Sequence, residues 1–124
     1  MLIEEYLAQI KRIIAQSYFI LDAHVSFDKR SLYIAVIEGR LTFFDNSELH
    51  LMEFVNVKTK KDKYKYSYHY QDKTGSLIFR YDMAPHHKNI PTFPHHKHTA
   101  DGKVIEAELP DLSSILDEIE QYMM

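Results

Sequence analysis

The sequence predicts an α+β fold: one antiparallel sheet of five to six strands in meander order, with the N- and C-terminal helices packed on one face. Three observations carry that prediction. Apolar residues recur at helical spacing only near the two ends, they alternate at period two through the middle, and short turn sequences separate the alternating runs. With 124 residues the chain fits a single domain, 1–124, large enough to bury roughly two-thirds of its unfolded surface.

Ile3, Tyr6, Leu7, Ile10, Ile13 and Ile14 keep the i, i+3, i+4, i+7 spacing of an amphipathic helix, and Lys11 and Arg12 near its end suit the helix dipole. In "SYFILDAHVSF" Phe19, Leu21, Ala23, Val25 and Phe27 alternate with polar or smaller partners, which reads as a strand. "FDKRS" turns the chain into "LYIAVIEGRLTFF", a second strand in which Gly39 marks a bulge or bend. "FDNSE" is a hairpin turn built on Asp45 and Asn46, and "ELHLMEFVNV" is the third strand. "KTKKDK" leads to "YKYSYHYQ", and "DKTGS" leads to "LIFRYD". From Met83 to Gly102 the sequence reads as a long surface loop, with "KVIEAEL" as a short sixth strand. Pro110 and Asp111 then cap a helix whose apolar stripe is Leu112, Ile115, Leu116, Ile119, Tyr122 and Met123.

Composition excludes several functions. The absence of cysteine removes disulfides and thiolate chemistry, no run approaches the ~20 apolar residues of a membrane span, and the opening residues carry glutamates where a secretory signal is basic. A cytoplasmic protein with no membrane partner is the expectation. The net charge of −3 is unevenly spread: residues 57–103 hold ten Lys or Arg against four Asp, and the remainder five against fourteen Asp or Glu. A basic middle favours a polyanionic partner.

That middle also gathers histidine. Residues 79–98, "FRYDMAPHHKNIPTFPHHKH", hold five of the eight histidines and three of the four prolines. A tight turn at "DKTG" predicts the pairs Gln71–Ser76, His69–Ile78, Ser67–Arg80 and Lys65–Asp82. One face then carries Tyr66, Tyr68, Tyr70, Leu77, Phe79 and Tyr81, and the other carries Lys65, Ser67, His69, Ile78, Arg80 and Asp82. His69 and Arg80 become diagonal neighbours, ~7–8 Å apart and within joint reach of one phosphate. His24 and His50 lie on strands away from this cluster and read as structural or surface residues.

Three chemistries suit such a set. Metal-independent cleavage of an RNA phosphodiester needs an imidazole base, an imidazole acid and cationic donors for the phosphorane. His69, His86, His87, His95, His96 and His98 offer the imidazoles, Arg80, Lys88 and Lys97 offer the cations, and Asp82 offers a carboxylate to orient a ring. Lys65 and Ser67 stand beside them as substrate contacts. A metal site drawn from His86, His87, His95, His96 and His98 is the runner-up, since neither a helical H-E-x-x-H pair nor a facial triad is present. In a non-catalytic binding module, Lys60, Lys61 and Lys63 would matter more than His69. The expectation is therefore no cofactor.

The segment "YSYHYQDKTGSLIFRYDMAPHHKNIPTFPHHKH" resembles the hallmark segment of the TumE family, toxin components of prokaryotic toxin–antitoxin systems. The matching pieces are "YHYQD", "LIFRYDMAPHH" and "IPTFPHHKH"; the similarity extends over nearly the whole chain and is most specific from Tyr66 to His98. It implies a toxin with a cognate antitoxin as partner, and it singles out His69, Arg80, Asp82, His86, His87, His95, His96, Lys97 and His98. RNA is the expected target of a toxin this small. The apolar residues of the terminal helices also leave room for a homodimer.

Overall fold

The computed structural model describes residues 1–58 and 62–123, the side chains of 62–64 excepted. Lys60 and Lys61 thus lie outside the described residues, as does the side chain of Lys63. Helix α1 (Ile3–Gln16) leads into strands β1 (Ile20–Lys29), β2 (Ile34–Phe43), β3 (Glu48–Asn56), β4 (Asp62–Gln71) and β5 (Leu77–Asp82). Strands β6 (His96–Thr99) and β7 (Val104–Glu106) follow, and helix α2 (Leu112–Met123) closes the chain. All seven strands form one antiparallel meander in sequence order.

The fold class is the expected one, with seven strands in place of five to six. The extra strand comes from "HHKH", which forms β6 and pairs with β5. Thr99 and Lys103 close the β6–β7 hairpin with Gly102 at φ 86°, a left-handed conformation that glycine adopts without strain. The loop beyond β5 therefore ends at residue 95 rather than at Gly102.

Period-two alternation buries Ala35, Ile37, Leu41 and Phe43 of β2, Leu49, Leu51 and Val55 of β3, Tyr66, Tyr68 and Tyr70 of β4, and Phe79 of β5. The stripes Ile3, Tyr6, Leu7, Ile10 of α1 and Leu112, Ile115, Leu116, Ile119 of α2 join them in one core cluster. At the start of α2, Asp111 Oδ1 accepts the Ser114 N–H at 2.8 Å, as an N-cap should. Buried Glu53 of β3 accepts hydrogen bonds from the hydroxyls of Tyr6 on α1 and Tyr68 on β4, which ties the first helix to the sheet. Tyr81 donates to Glu118 of α2 at 2.6 Å.

Three local expectations are corrected. Gly39 marks no bulge: it sits in regular register between Val25 and Leu51. The irregularity of β1 falls instead between Ile20 and Asp22, where Leu21 slips out of the alternation and stays exposed. Because α1 continues to Gln16, Lys11 and Arg12 lie a turn short of its end, and the Lys11 ammonium sits 4.9 Å from the centre of the Phe27 ring.

Candidate functional site

With both helices on the inner face, the outer face carries most of the polar side chains of the strands beside a few apolar ones such as Val36, Met52 and Phe54, and strand register decides which of them meet. One row crosses six strands through His24, Arg40, His50, His69, Arg80 and His98, each directly opposed to the next. The neighbouring row runs through Met52, Ser67, Asp82 and His96. The β4–β5 hairpin is two residues out from the sequence-based register: Asp72 pairs with Ser76 across a tighter turn, which accounts for one residue, and an irregularity opposite Tyr70 and Gln71, between Leu77 and Phe79, adds the other. Asp72 Oδ1 accepts the Thr74 and Ser76 N–H groups, and Gly75 takes φ 89°. A shift of two keeps each of Ser67, His69, Arg80 and Asp82 on its expected face, but it makes His69 and Arg80 direct partners and sets Ser67 against Asp82.

Arg80 is the hub. Its Nε donates to Asp82 Oδ2 at 2.8 Å, and its Nη1 approaches His69 Nδ1 at 3.4 Å. Asp82 in turn meets His96 Nε2 at 2.7 Å through Oδ1, lies 3.6 Å from His98 Nε2 through Oδ2, and accepts the Ala84 N–H at 3.1 Å. The 83–95 segment folds back over this corner through a chain of turns, so Asp82 and His96 are buried although they belong to the outer face. His87 comes from that segment and rests edge-on against His96 and His98.

Burial, the Arg80 guanidinium and the neighbouring His50 hold the His69 imidazole below its ordinary pKa, against a Gln71 hydrogen bond that works the other way. The lowered pKa favours the neutral ring, the form that can accept a proton. Burial pushes the Asp82 carboxyl up, but the Arg80 and Ala84 hydrogen bonds and the His96 and Arg80 charges outweigh it and leave the group lowered. His98 is also lowered, by burial first and then by the adjoining His96, His87 and Arg80, although Asp82 opposes them.

A cleft of ≈ 730 Å³ opens between sheet and loop, with Lys65, Ser67, Arg80, Asp82, His86 and Phe93 on its walls. A second hollow of ≈ 370 Å³ carries His50, His69 and Gln71 and shares Met52, Ser67 and Arg80 with the first. The two form one groove with Arg80 at the junction, His69 on one side and His86 on the other.

The expected residues sort accordingly. His69, Arg80, Asp82, Ser67, Lys65 and His86 line the groove, and His87, His96 and His98 cluster behind Asp82. His95 is drawn off to Tyr66, whose hydroxyl bonds its Nδ1 at 2.9 Å and whose ring stacks on it. Lys97 turns to the inner face, where Glu118 binds its ammonium at 2.7 Å and holds its pKa up against the effect of burial. Lys88 is exposed on the loop. His50, read from the sequence as remote, stands opposite His69 with ring centres 6.1 Å apart; Arg40 beside it escaped notice altogether. The β2–β3 register through Asp45 and Asn46 was the signal that could have placed both.

The family model described as Toxin TumE matches residues 10–123. No match was found among curated proteins or solved structures.

Proposed function

The chain belongs to the TumE toxin family, and from that premise we propose that it acts on RNA, cutting phosphodiester bonds by imidazole acid–base chemistry with Arg80 holding the phosphate. The observation that carries this reading is the direct pairing of His69 with Arg80 at the junction of the groove, where burial and the guanidinium hold the His69 pKa down.

A phosphate seated on Arg80 would bring the adjoining ribose 2′-hydroxyl to His69. That ring takes the hydroxyl proton as the oxygen attacks phosphorus. The 5′-oxygen leaves with a proton from His86 on the far side of Arg80, giving a 2′,3′-cyclic phosphate and a free 5′-hydroxyl. Each imidazole contributes ~10²–10⁴-fold. Arg80 and Lys65 offset the charge that builds on the phosphorane, and Asp82 keeps the guanidinium in place. Phe93 offers a flat apolar surface, 41% exposed, for an unpaired base. A cognate antitoxin, the partner proper to a toxin of this kind, silences the groove by laying an acidic segment across it.

The test is a mixed single-stranded RNA incubated with tag-free protein in buffer without added divalent metal, its cut ends identified by mass. Cyclic phosphate ends, lost in His69→Ala while circular dichroism is unchanged, are the expected result. Ends carrying 5′-phosphate, or cleavage untouched in His69→Ala, would overturn the assignment.

A further inference from the structure

Three histidines stand behind the groove, and the acid–base scheme uses none of them. We infer that His87, His96 and His98, with Asp82 as a fourth ligand, form a binding site for one divalent transition-metal ion of the zinc class.

One ring nitrogen from each histidine lies within 4.8 Å of the other two. The rings meet edge to face, with centres 4.9 Å (His87–His96), 5.8 Å (His87–His98) and 4.9 Å (His96–His98) apart. Zn–N bonds of about 2.0–2.1 Å at tetrahedral angles put ligand nitrogens roughly 3.4 Å apart and ring centres roughly 5 Å apart. The His87–His96 and His96–His98 spacings already match, the His87–His98 spacing is wider by roughly 1 Å, and the nitrogens have at most roughly 1.5 Å to close.

His96 supplies a second, independent indication. It is 2% exposed, and its Nδ1 donates to the Pro94 carbonyl at 2.9 Å. A metal-ligating imidazole is commonly held this way, its far nitrogen on a backbone carbonyl so that the near one presents a lone pair. That near nitrogen, Nε2, points at Asp82 Oδ1 from 2.7 Å. The same nitrogen faces His87 and His98 in the cluster, so that three imidazoles and one carboxylate converge on a single point where a dication would be shared by all four.

Three nitrogens and one carboxylate suit zinc, cobalt or nickel rather than magnesium or calcium, which take oxygen ligands. The ligands come from β5, from β6 and, through His87, from the 83–95 segment. A bound ion would therefore fasten that segment to the sheet and fix the wall of the groove that carries His86. The other two histidines of the segment fall outside the set, His86 on the groove wall and His95 on Tyr66.

The experiment titrates full-length protein without a histidine tag, dialysed metal-free, with Co²⁺, and follows the visible absorption of four-coordinate cobalt. One ion per chain should bind, be displaced by Zn²⁺, and raise the melting temperature. His87→Ala and His98→Ala should each weaken binding by about 100-fold or more, and Asp82→Asn by about 10- to 100-fold. His69→Ala and His95→Ala should bind as the unaltered chain does. The circular dichroism of apo His87→Ala is compared with that of the metal-free parent, so that loss of binding is told from loss of fold; a matching spectrum with lost binding supports the site. Absence of saturable binding, undiminished binding in His87→Ala, or an equal loss in His95→Ala, the sign of adventitious chelation by a histidine-rich loop, would overturn it. His69→Ala separates this inference from the cleavage scheme, since it should abolish cutting and spare the metal.

Discussion

His69 concentrates the residue-scale argument. Its place between Tyr68 and Tyr70 made its outward direction legible, because burying the tyrosines forces the histidine to the other face. Its true partner was not legible, since an Asx-stabilised turn at Asp72 and an irregularity between Leu77 and Phe79 together move the register by two without disturbing the hydrophobic pattern. His69→Ala is expected to lower RNA cleavage by ~10²–10⁴-fold. Its half-exposed position keeps the stability change within roughly ±0.5 kcal/mol, which a urea titration checks. The pH profile offers a sharper test. A base works deprotonated, and burial with Arg80 lowers the His69 pKa, so the acid limb of the rate should fall below the ordinary value of about 6.5. The rate rises as pH climbs through that lowered pKa. The limb should move back upward in Arg80→Gln, measured as residual single-turnover rate against pH. An acid limb at or above the ordinary histidine range would remove His69 as base. Linkage runs in the same sense: the unfolded chain binds this proton first as pH drops below about 6.5, so the contribution is complete above that value and is lost toward the lowered pKa.

Among the elements, helices and central strands follow from periodicity alone, and the one omission, β6, has a physical reason. "HHKH" carries neither a β-branched nor an apolar alternation. Its strand form rests on pairing with β5 and on the Asp101–Gly102 turn, an Asp-Gly hairpin signal that the surrounding prolines obscured. Gly39 is explained by contact rather than by turning: a Cβ there would stand 2.8 Å from Val25 Cγ2 and 3.2 Å from the His24 carbonyl oxygen. Valine is stiff and the carbonyl belongs to the strand, so β1 must move. Gly39→Val should cost about 1–3 kcal/mol by overpacking, read as a shifted denaturation midpoint at constant slope. A neutral outcome would mean that β1 yields at its Ile20–Asp22 irregularity. Helix docking can be tested in the same way. Tyr6→Phe withdraws a hydroxyl from buried Glu53, and hydrogen bonds to charged groups contribute roughly 1.5–3 kcal/mol. Stability should fall by that amount while cleavage per folded molecule is unchanged, because the inner face is separated from the groove by the sheet itself.

Across the whole molecule the sheet divides packing from polar chemistry, and the six-strand row His24–Arg40–His50–His69–Arg80–His98 crosses the polar side. At a strand spacing of about 4.8 Å it spans roughly 24 Å, room for several nucleotides of single strand. Not every member offers free charge. His24 Nε2 lies 2.9 Å from Asp22, and His50 Nε2 lies 3.0 Å from Glu48, so the carboxylates of the next row face both. Under the proposed RNA reading, Arg40 and Arg80, the latter oriented by Asp82, would be the principal phosphate contacts along the track, with Lys65 at the cleft. The basic segment 57–103 contains Arg80 and Lys65 but not Arg40, and it is the strand register that brings Arg40 of β2 into the same row as Arg80 of β5. If RNA lies along this row, Arg40→Ala should weaken binding in proportion across sequences and flatten the plot of log K against log salt by about 0.7, the contribution of one single-strand phosphate contact. The rate at saturating RNA should stay as it was, since Arg40 is two strands from His69. Fluorescence anisotropy over a salt series separates the possibilities. An unchanged slope would mean that RNA leaves the row and follows the cleft past Lys65 and Phe93, in which case Lys65→Ala, not Arg40→Ala, should carry the lost contact.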